Sequence, residues 1–126
     1  MSQAEPIVLV VDDEPANIDL IKGILPTTYK VKVAINGERA LKIVQKTPAP
    51  DLVLLDVMMP DMDGYAVCQA IKESPATAAI PVLFITGTIT ETIEQRAQEV
   101  GAAGILAKPI DPAQLQATVA SHLPQD

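Results

Sequence analysis

The chain has 126 residues, the length of one domain, and its 48% apolar and 20% charged residues are typical of a folded globular protein. A net charge of −7, with two tyrosines, one phenylalanine and no tryptophan, disfavours direct binding to nucleic acid, which requires positive charge and stacking rings. A single cysteine, no secretory signal pattern and no apolar run of membrane-spanning length predict a cytoplasmic protein that does not bind a membrane.

The first part of the chain alternates between predicted strands and helices. The apolar run Ile7–Val11 predicts a buried strand. Pro15 stands at a first-turn position and predicts the start of a helix, which Pro26 ends. Residues Tyr29–Ile35 alternate between apolar and polar, which predicts a half-exposed edge strand. Asn36-Gly37 then leads into a second helix.

The second part begins with the apolar run Leu52–Leu55, which ends abruptly at Asp56 and a loop containing Pro and Gly. Such a run predicts a strand that is buried on both faces. The remaining predicted elements are a helix after Gly64, a strand over Ile80–Ile85, a weak polar helix over Thr90–Val100, a short strand over Ile105–Ala107 and a last helix that Asp111 caps and Pro112 begins.

Five predicted strands therefore alternate with five predicted helices, and a strand comes first. This order predicts an α/β fold in which one parallel sheet has right-handed crossovers and helices on both faces. In open sheets of this kind, ligands and chemistry lie just beyond the carboxyl ends of the strands. The residues that follow the strands are therefore the first candidates for a functional site.

Four of the five predicted strands end at polar groups, namely Asp12 and Asp13, Asp56, Thr86, and Lys108. Crowded carboxylates repel one another unless a cation lies between them, and hard oxygen ligands of this kind suit Mg²⁺. A lysine and a hydroxyl beside them add donors for an anion. Together these groups are the parts needed to transfer a phosphoryl group to an aspartate.

Four motifs give the chain a specific resemblance, namely Val10-Val-Asp-Asp-Glu14, Leu54-Leu-Asp-Val-Met-Met-Pro-Asp-Met-Asp-Gly64, Ile85-Thr-Gly87 and Lys108-Pro109. In combination they resemble those of the receiver domains of bacterial two-component response regulators, over essentially the whole length. The resemblance implies a doubly wound five-stranded sheet with the flavodoxin-like strand order 2-1-3-4-5. It also implies that residues 1–126 are one receiver domain, with a core from 5 to 123 and short polar tails.

The resemblance implies a role for each strand-end residue. Asp56 would be the phosphoacceptor, and Thr86 would be the hydroxyl that moves toward the phosphoryl group. Lys108 would contact the phosphoryl oxygens, with a cis bond to Pro109. The implied Mg²⁺ ligands are Asp12, Asp13, Asp56 and the backbone carbonyl of Met58, with Val57 as the alternative carbonyl. Asp13 and Asp56 would be direct ligands, and Asp12 would act through water.

By the same resemblance, the chain is a phosphorylation-dependent switch and not a turnover enzyme, with slow self-dephosphorylation at most. The implied donor is a sensor histidine kinase or a histidine phosphotransfer protein. An output domain or a dimer partner would bind the face formed by the fourth and fifth helices. One departure concerns the switch: Ile105 stands where the family usually has Tyr or Phe. Signalling is therefore expected through the Thr86–Thr90 loop and the helix after it.

Other interpretations of the same residues stay open at this point. Asp12 and Asp13 could only cap a helix, and Thr86 and Lys108 could have ordinary turn and surface roles. The segment Asp61-Met-Asp63-Gly64 resembles the first motif of haloacid-dehalogenase-type phosphatases, although Pro60 and two methionines separate it from the strand. A receiver-like module that binds a partner without phosphorylation is a further alternative. Flavin binding is disfavoured because the chain has no Trp and no Ser/Thr-rich phosphate loop.

Overall fold

The computed structural model describes residues 5–46, 48–59 and 62–123. The strands are β1 (Ile7–Val11), β2 (Lys30–Ala34), β3 (Leu52–Asp56), β4 (Val82–Thr86) and β5 (Gly104–Ala107). The helices are α1 (Pro15–Ile24), α2 (Gly37–Val44), α3 (Gly64–Glu73), α4 (Glu91–Glu99) and α5 (Pro112–His122). Within the described ranges, no helix is long and apolar enough to cross a membrane.

The strands form one parallel sheet in the order β2-β1-β3-β4-β5. This confirms both the predicted fold class and the strand order implied by the resemblance. Every residue of β1, β3 and β4 is buried, because these central strands have neighbours on both sides and are covered on both faces. The continuous apolar runs in the sequence reflect that double burial.

Two apolar cores lie on opposite faces of the sheet, one for each layer of helices. One core combines alternate residues of the central strands with α2 and α3, and includes Phe84, Tyr65 and Cys68. The other combines the remaining strand residues with α1 and α5, and includes Leu54, Ile21 and Leu115. Alternate residues of a strand point to opposite faces, so each central strand contributes to both cores.

Most helices begin at a residue whose side chain accepts a hydrogen bond from the first turn. Asn36 caps α2 and Asp63 caps α3, at 2.8 and 2.9 Å. Asp111 caps α5 as predicted, accepting from the amides of the first turn. The exception is α1, where Glu14 makes no side-chain cap bond and Pro15 fixes the start.

The predicted elements are all present, with differences of one or two residues at their ends. The predicted strand over Ile80–Ile85 begins later, at Val82, after Pro81, and it includes Thr86. The predicted alternation in β2 is only partly realised, since Val33 and the following Ile35 are exposed. As an edge strand, β2 pairs with β1 on one side and is open on the other, so burial is incomplete there.

Two residues of α3 fix how closely this helix approaches the sheet. Cys68 is fully buried, and burial raises the pKa of its thiol to about 11. At Gly64, a Cβ would lie 2.5 Å from the carbonyl oxygen of Asp56 and 3.0 Å from Cα of Val57. The amide of Gly64 also donates to the carbonyl of Val57 at 3.0 Å. A side chain at position 64 would therefore push the helix away from the end of β3.

We expect Gly64→Ala to lower the free energy of unfolding by about 1–3 kcal/mol, because the three nearest atoms that a Cβ would meet all belong to the backbone. Gly23→Ala in α1 is the matched control, since a Cβ there meets nothing within 4 Å. Alanine should stabilise that site by about 0.5–1 kcal/mol through its higher helix propensity. Urea denaturation measures both changes, and equal effects at the two glycines would contradict the close approach at Gly64.

Candidate functional site

The strand register brings the predicted site residues to one edge of the sheet. Val11 pairs with Leu55, so that Asp12 and Asp56 each come directly after a matched pair. On the other side of β3, Asp56 pairs with Ile85, next to Thr86. Thr86 in turn pairs with Ala107, after which Lys108 follows. Residues that are distant in the chain are thus adjacent in space.

Three carboxylates gather at this edge. Asp12, Asp13 and Asp56 each offer an oxygen, and these oxygens lie within 4.8 Å of one another. Asp12 and Asp56 are 1% and 4% exposed, whereas Asp13 is exposed to solvent. Local amides hold the two buried groups: Glu14 N donates to Asp12 at 2.9 Å, and Met58 N donates to Asp56 at 3.3 Å. Asp12 therefore orders the turn before α1 without being its N-cap.

Lys108 supplies positive charge to the same cluster. Its Nζ lies 3.6 Å from Oδ1 of Asp56 and 3.7 Å from Oδ2 of Asp12. The lysine therefore lies between the two buried carboxylates and is not a free surface residue. The peptide bond between Lys108 and Pro109 is cis, as predicted. One lysine neutralises only part of the charge of three carboxylates.

The pKa of Asp56 shows that this neutralisation is incomplete. Burial raises the pKa of this carboxyl above its ordinary value, and the neighbouring Asp12 carboxylate raises it further, with a smaller contribution from Asp13. Lys108 and the amide of Met58 lower it, but by less. The free chain thus holds an ionised Asp56 at a net cost. Additional positive charge between the carboxylates would remove that cost.

Thr86 is buried at the end of β4, and its hydroxyl is engaged within its own loop. The hydroxyl donates to the carbonyl of Thr88 at 3.1 Å and accepts from the amide of Thr88 at 3.3 Å. These bonds explain why a buried hydroxyl is tolerated at this position. They also direct the hydroxyl toward the β4–α4 loop.

Two further residues singled out in the sequence are Met58 and Ile105. The Met58 side chain is 75% exposed, and the carbonyl predicted as a metal ligand belongs to the same residue whose amide binds Asp56. Ile105 is half-buried and packs against the core that contains Phe84. It also lines a cavity of about 280 Å³ beside α4. Position 105 thus belongs to the contact between β5 and α4.

Sequence reasoning missed two features near the site. The close approach of Gly64 to the backbone of Asp56 could have been suspected from a glycine directly after the helix-capping Asp63. The contact between Tyr65 in α3 and Arg96 in α4 had no signal in the sequence, because it depends on the packing of two helices. Of the phosphatase-like motif, Asp63 is a helix cap, and Asp61 lies outside the described residues.

The residues present fit a divalent cation. Three carboxylates converge, two of them are buried, and burial together with the neighbouring Asp12 carboxylate raises the pKa of Asp56. Oxygen ligands from a few carboxylates are the set that Mg²⁺ uses in proteins. Lys108, which is partly exposed, is placed to contact an anion bound next to Asp56.

We expect Asp56→Asn to raise the free energy of unfolding at pH 7 without added divalent metal. The reason is that a neutral isostere removes a buried charge and its repulsion from Asp12. Urea denaturation measures the change. Asp19→Asn, at an exposed position of α1, should stay within about 0.5 kcal/mol of the parent. A less stable Asp56→Asn variant would mean that attraction to Lys108 outweighs burial.

Comparison with known proteins agrees with this geometry. Residues 8–120 match the family described as the response regulator receiver domain. The response regulator PleD of Caulobacter vibrioides is 43% identical over 115 residues, which cover 90% of this chain and 25% of PleD. A Vibrio cholerae protein named probable cyclic di-GMP phosphodiesterase is 42% identical over 116 residues, covering 92% of this chain and 26% of that protein. The chain thus spans about a quarter of the length of these relatives.

Solved structures share the fold. The chemotaxis protein CheY4 of Vibrio cholerae superposes with a TM-score of 0.87 at 30% identity, covering 95% of this chain and 100% of CheY4. The receiver domain of a histidine kinase from Syntrophus aciditrophicus gives a TM-score of 0.83 at 32% identity, covering 94% and 89%. The chain therefore belongs to the response regulator receiver domain family, whose members are phosphoacceptor signalling domains of two-component systems.

Proposed function

We propose that Asp56 accepts a phosphoryl group from the phosphohistidine of a sensor histidine kinase or a histidine phosphotransfer protein. The observation that carries this proposal is the convergence of Asp12, Asp13 and Asp56 within 4.8 Å, with Lys108 Nζ 3.6 Å from Asp56. Asp56 is the member that ends a central strand and lies against both Lys108 and the end of β4. It is therefore the carboxylate around which the other groups are arranged.

In the proposed reaction, a carboxylate oxygen of Asp56 attacks the phosphorus atom. A P–O bond forms as the P–N bond to the donor histidine breaks, and the histidine nitrogen keeps the electron pair and takes up a proton. The protein contributes mainly position and charge, because phosphoryl transfer has a loose transition state. Lys108 would contact the phosphoryl oxygens, since its ammonium already lies beside the acceptor. Slow hydrolysis of the acyl phosphate would reset the chain, so it is not a turnover enzyme.

Asp12, Asp13 and Asp56 would hold Mg²⁺, together with the backbone carbonyl of Met58. When bound, the ion supplies the positive charge that offsets the carboxylates and the incoming phosphoryl oxygens. The raised pKa of Asp56 supports this assignment, because burial and repulsion from Asp12 both disfavour its ionised form and a bound cation would favour it. The residues themselves keep the acceptor oxygen in place through the amide of Met58.

Thr86 would convey the change to the surface. Its hydroxyl is bonded to Thr88 in the free chain, and it lies next to Asp56 across the β3–β4 register. New negative charge on Asp56 gives the hydroxyl a stronger acceptor than a carbonyl, so Thr86 would turn inward and take its loop with it. The loop leads directly into α4. An output domain or a second copy of the chain would bind the face formed by α4 and α5 and respond to the resulting change there.

The proposal also concerns the bounds of the domain, its partners and its location in the cell. Residues 1–126 would be one receiver domain with its core between 5 and 123, in agreement with the family match over 8–120. The output module and the cognate kinase would depend on which protein contains this domain. The cytoplasmic location remains a prediction from the sequence.

We expect Mg²⁺ to raise the melting temperature of the chain. Binding to the folded state alone adds about 1.4 kcal/mol when the metal is at ten times its dissociation constant, or a rise of roughly 4–7 °C. Asp12→Ala and Asp13→Ala should each abolish the rise, whereas Asp19→Asn in α1 should keep it. Calorimetry with and without Mg²⁺ measures the shift. A rise that persists in both alanine variants would place the metal elsewhere.

We expect acetyl phosphate with Mg²⁺ to add one phosphoryl group to the chain, as measured by intact mass. The adduct should require Mg²⁺ and disappear in Asp56→Ala. Asp61→Ala is the matched control, because it changes a nearby aspartate of the phosphatase-like motif.

An adduct that survives Asp56→Ala and disappears in Asp61→Ala would move the chemistry to that motif. No adduct in the parent chain would contradict the proposed function. It would favour instead a module that binds a partner without phosphorylation.

A further inference from the structure

Helix α4 is held to the rest of the chain by few contacts. Among its residues, all of which the structure describes, Ala97 is the one that is buried. The other positions are exposed or half-buried and mostly polar. Its position therefore depends on specific contacts at its two ends and not on a broad apolar face.

The C-terminal end of α4 is attached to α3. The guanidinium carbon of Arg96 lies 4.0 Å from the centre of the Tyr65 ring, in the geometry of a cation–π contact. Cys68, one turn further along α3, donates from Sγ to the carbonyl of Val100 at 3.4 Å. Val100 and Ala102 also pack against the core that contains Tyr65. Among the described residues, Arg96 forms no salt bridge, so the aromatic ring is its main partner.

The N-terminal end of α4 is attached more loosely. Thr90 caps it by accepting from the amide of Ile93 at 3.2 Å. The preceding Ile89 is 44% exposed. A cavity of about 280 Å³ lies along the helix and is lined by Glu94, Ala97 and Gln98 together with Ile89 and Ile105. The N-terminal end is therefore held by its own cap, whereas the C-terminal end is held by α3.

Tyr65 also connects this attachment to the acidic cluster. It follows Gly64, whose Cα lies against the backbone of Asp56. The Tyr65 ring packs edge-to-face on Phe84, with centroids 5.3 Å apart and planes at 69°. Phe84 stands two residues before Thr86 in β4. The ring thus contacts α4 on one side and Phe84 of β4 on the other.

We propose that the Tyr65–Arg96 pair is a positioning contact that fixes the C-terminal end of α4, so that changes at Asp56 and Thr86 move mainly its N-terminal end. The part of this proposal that concerns phosphorylation rests on the proposed function. In this chain Ile105 offers no aromatic ring to the β5–α4 contact, and the ring that holds α4 comes from α3 instead. Neither Tyr65 nor Arg96 takes part in the phosphoryl chemistry.

Amide hydrogen exchange on the full chain tests the contact. Val100 and Ala102 report on the C-terminal end, since their amides donate to carbonyls within α4, and Ile93 and Glu94 report on the N-terminal end. Arg96→Met removes the cation, and Gln95→Met places the same residue at the neighbouring exposed position. Tyr65→Phe keeps the ring and removes only the hydroxyl. Amides of β1 and β3 serve as the reference for global unfolding.

We expect Arg96→Met to speed exchange at Val100 and Ala102 by about two- to fivefold relative to the β1 and β3 amides. Gln95→Met and Tyr65→Phe should leave these amides unchanged. After phosphorylation with acetyl phosphate and Mg²⁺, the parent should change more at Ile93 and Glu94 than at Val100 and Ala102, and Arg96→Met should change by similar amounts at both ends. Equal behaviour of Arg96→Met and Gln95→Met would overturn the proposal, as would an equal response of both ends in the parent.

Intact mass, measured on the same samples, separates this proposal from the proposed function. A parent chain without a phosphoryl adduct would contradict the function. The comparison between Arg96→Met and Gln95→Met in the unphosphorylated chain would still decide whether Arg96 fixes the helix.

Discussion

Repulsion among three carboxylates is the constraint on which the rest of the structure depends. Asp12, Asp13 and Asp56 are held within 4.8 Å of one another, two of them buried, and one lysine lies between the buried pair. Such an arrangement is unstable unless the backbone on each side is rigid. The fully buried strands β1 and β3 provide that rigidity, since their matched register leaves the carboxylates no freedom to separate. The apolar runs in the sequence therefore form the rigid strands that support the site.

The sequence predicted the fold and the grouping of the strand-end residues for a physical reason, whereas the role of each residue stays a prediction. Strands buried on both faces appear as continuous apolar runs, and in a parallel sheet their ends meet at one edge, so that Asp12, Asp56, Thr86 and Lys108 could be grouped before any coordinates were known. What could not be predicted depends on packing between helices. The Tyr65–Arg96 contact and the exposure of Val33 follow from how neighbouring elements approach, and no local pattern encodes that approach.

The chain combines common features of its family with individual ones. The acidic cluster and the cis Lys108–Pro109 bond belong to the part that the motifs predicted. Ile105, in contrast, lacks the ring that the family usually has at this position, and a cavity lies beside it. Relatives such as PleD are about four times longer than the matched segment, so most of their length lies outside it.

The two hydrogen bonds between Thr86 and Thr88 have a consequence for the resting state. The hydroxyl is both donor and acceptor to the same residue, at 3.1 and 3.3 Å. Any spontaneous inward turn of Thr86 must give up both bonds, at a cost of about 1–3 kcal/mol if no new acceptor is present. A two-state equilibrium with that gap keeps the minor conformation at roughly 0.6–15% of molecules. If Thr86 acts as proposed, these two bonds would set a threshold that limits signalling in the absence of a stimulus.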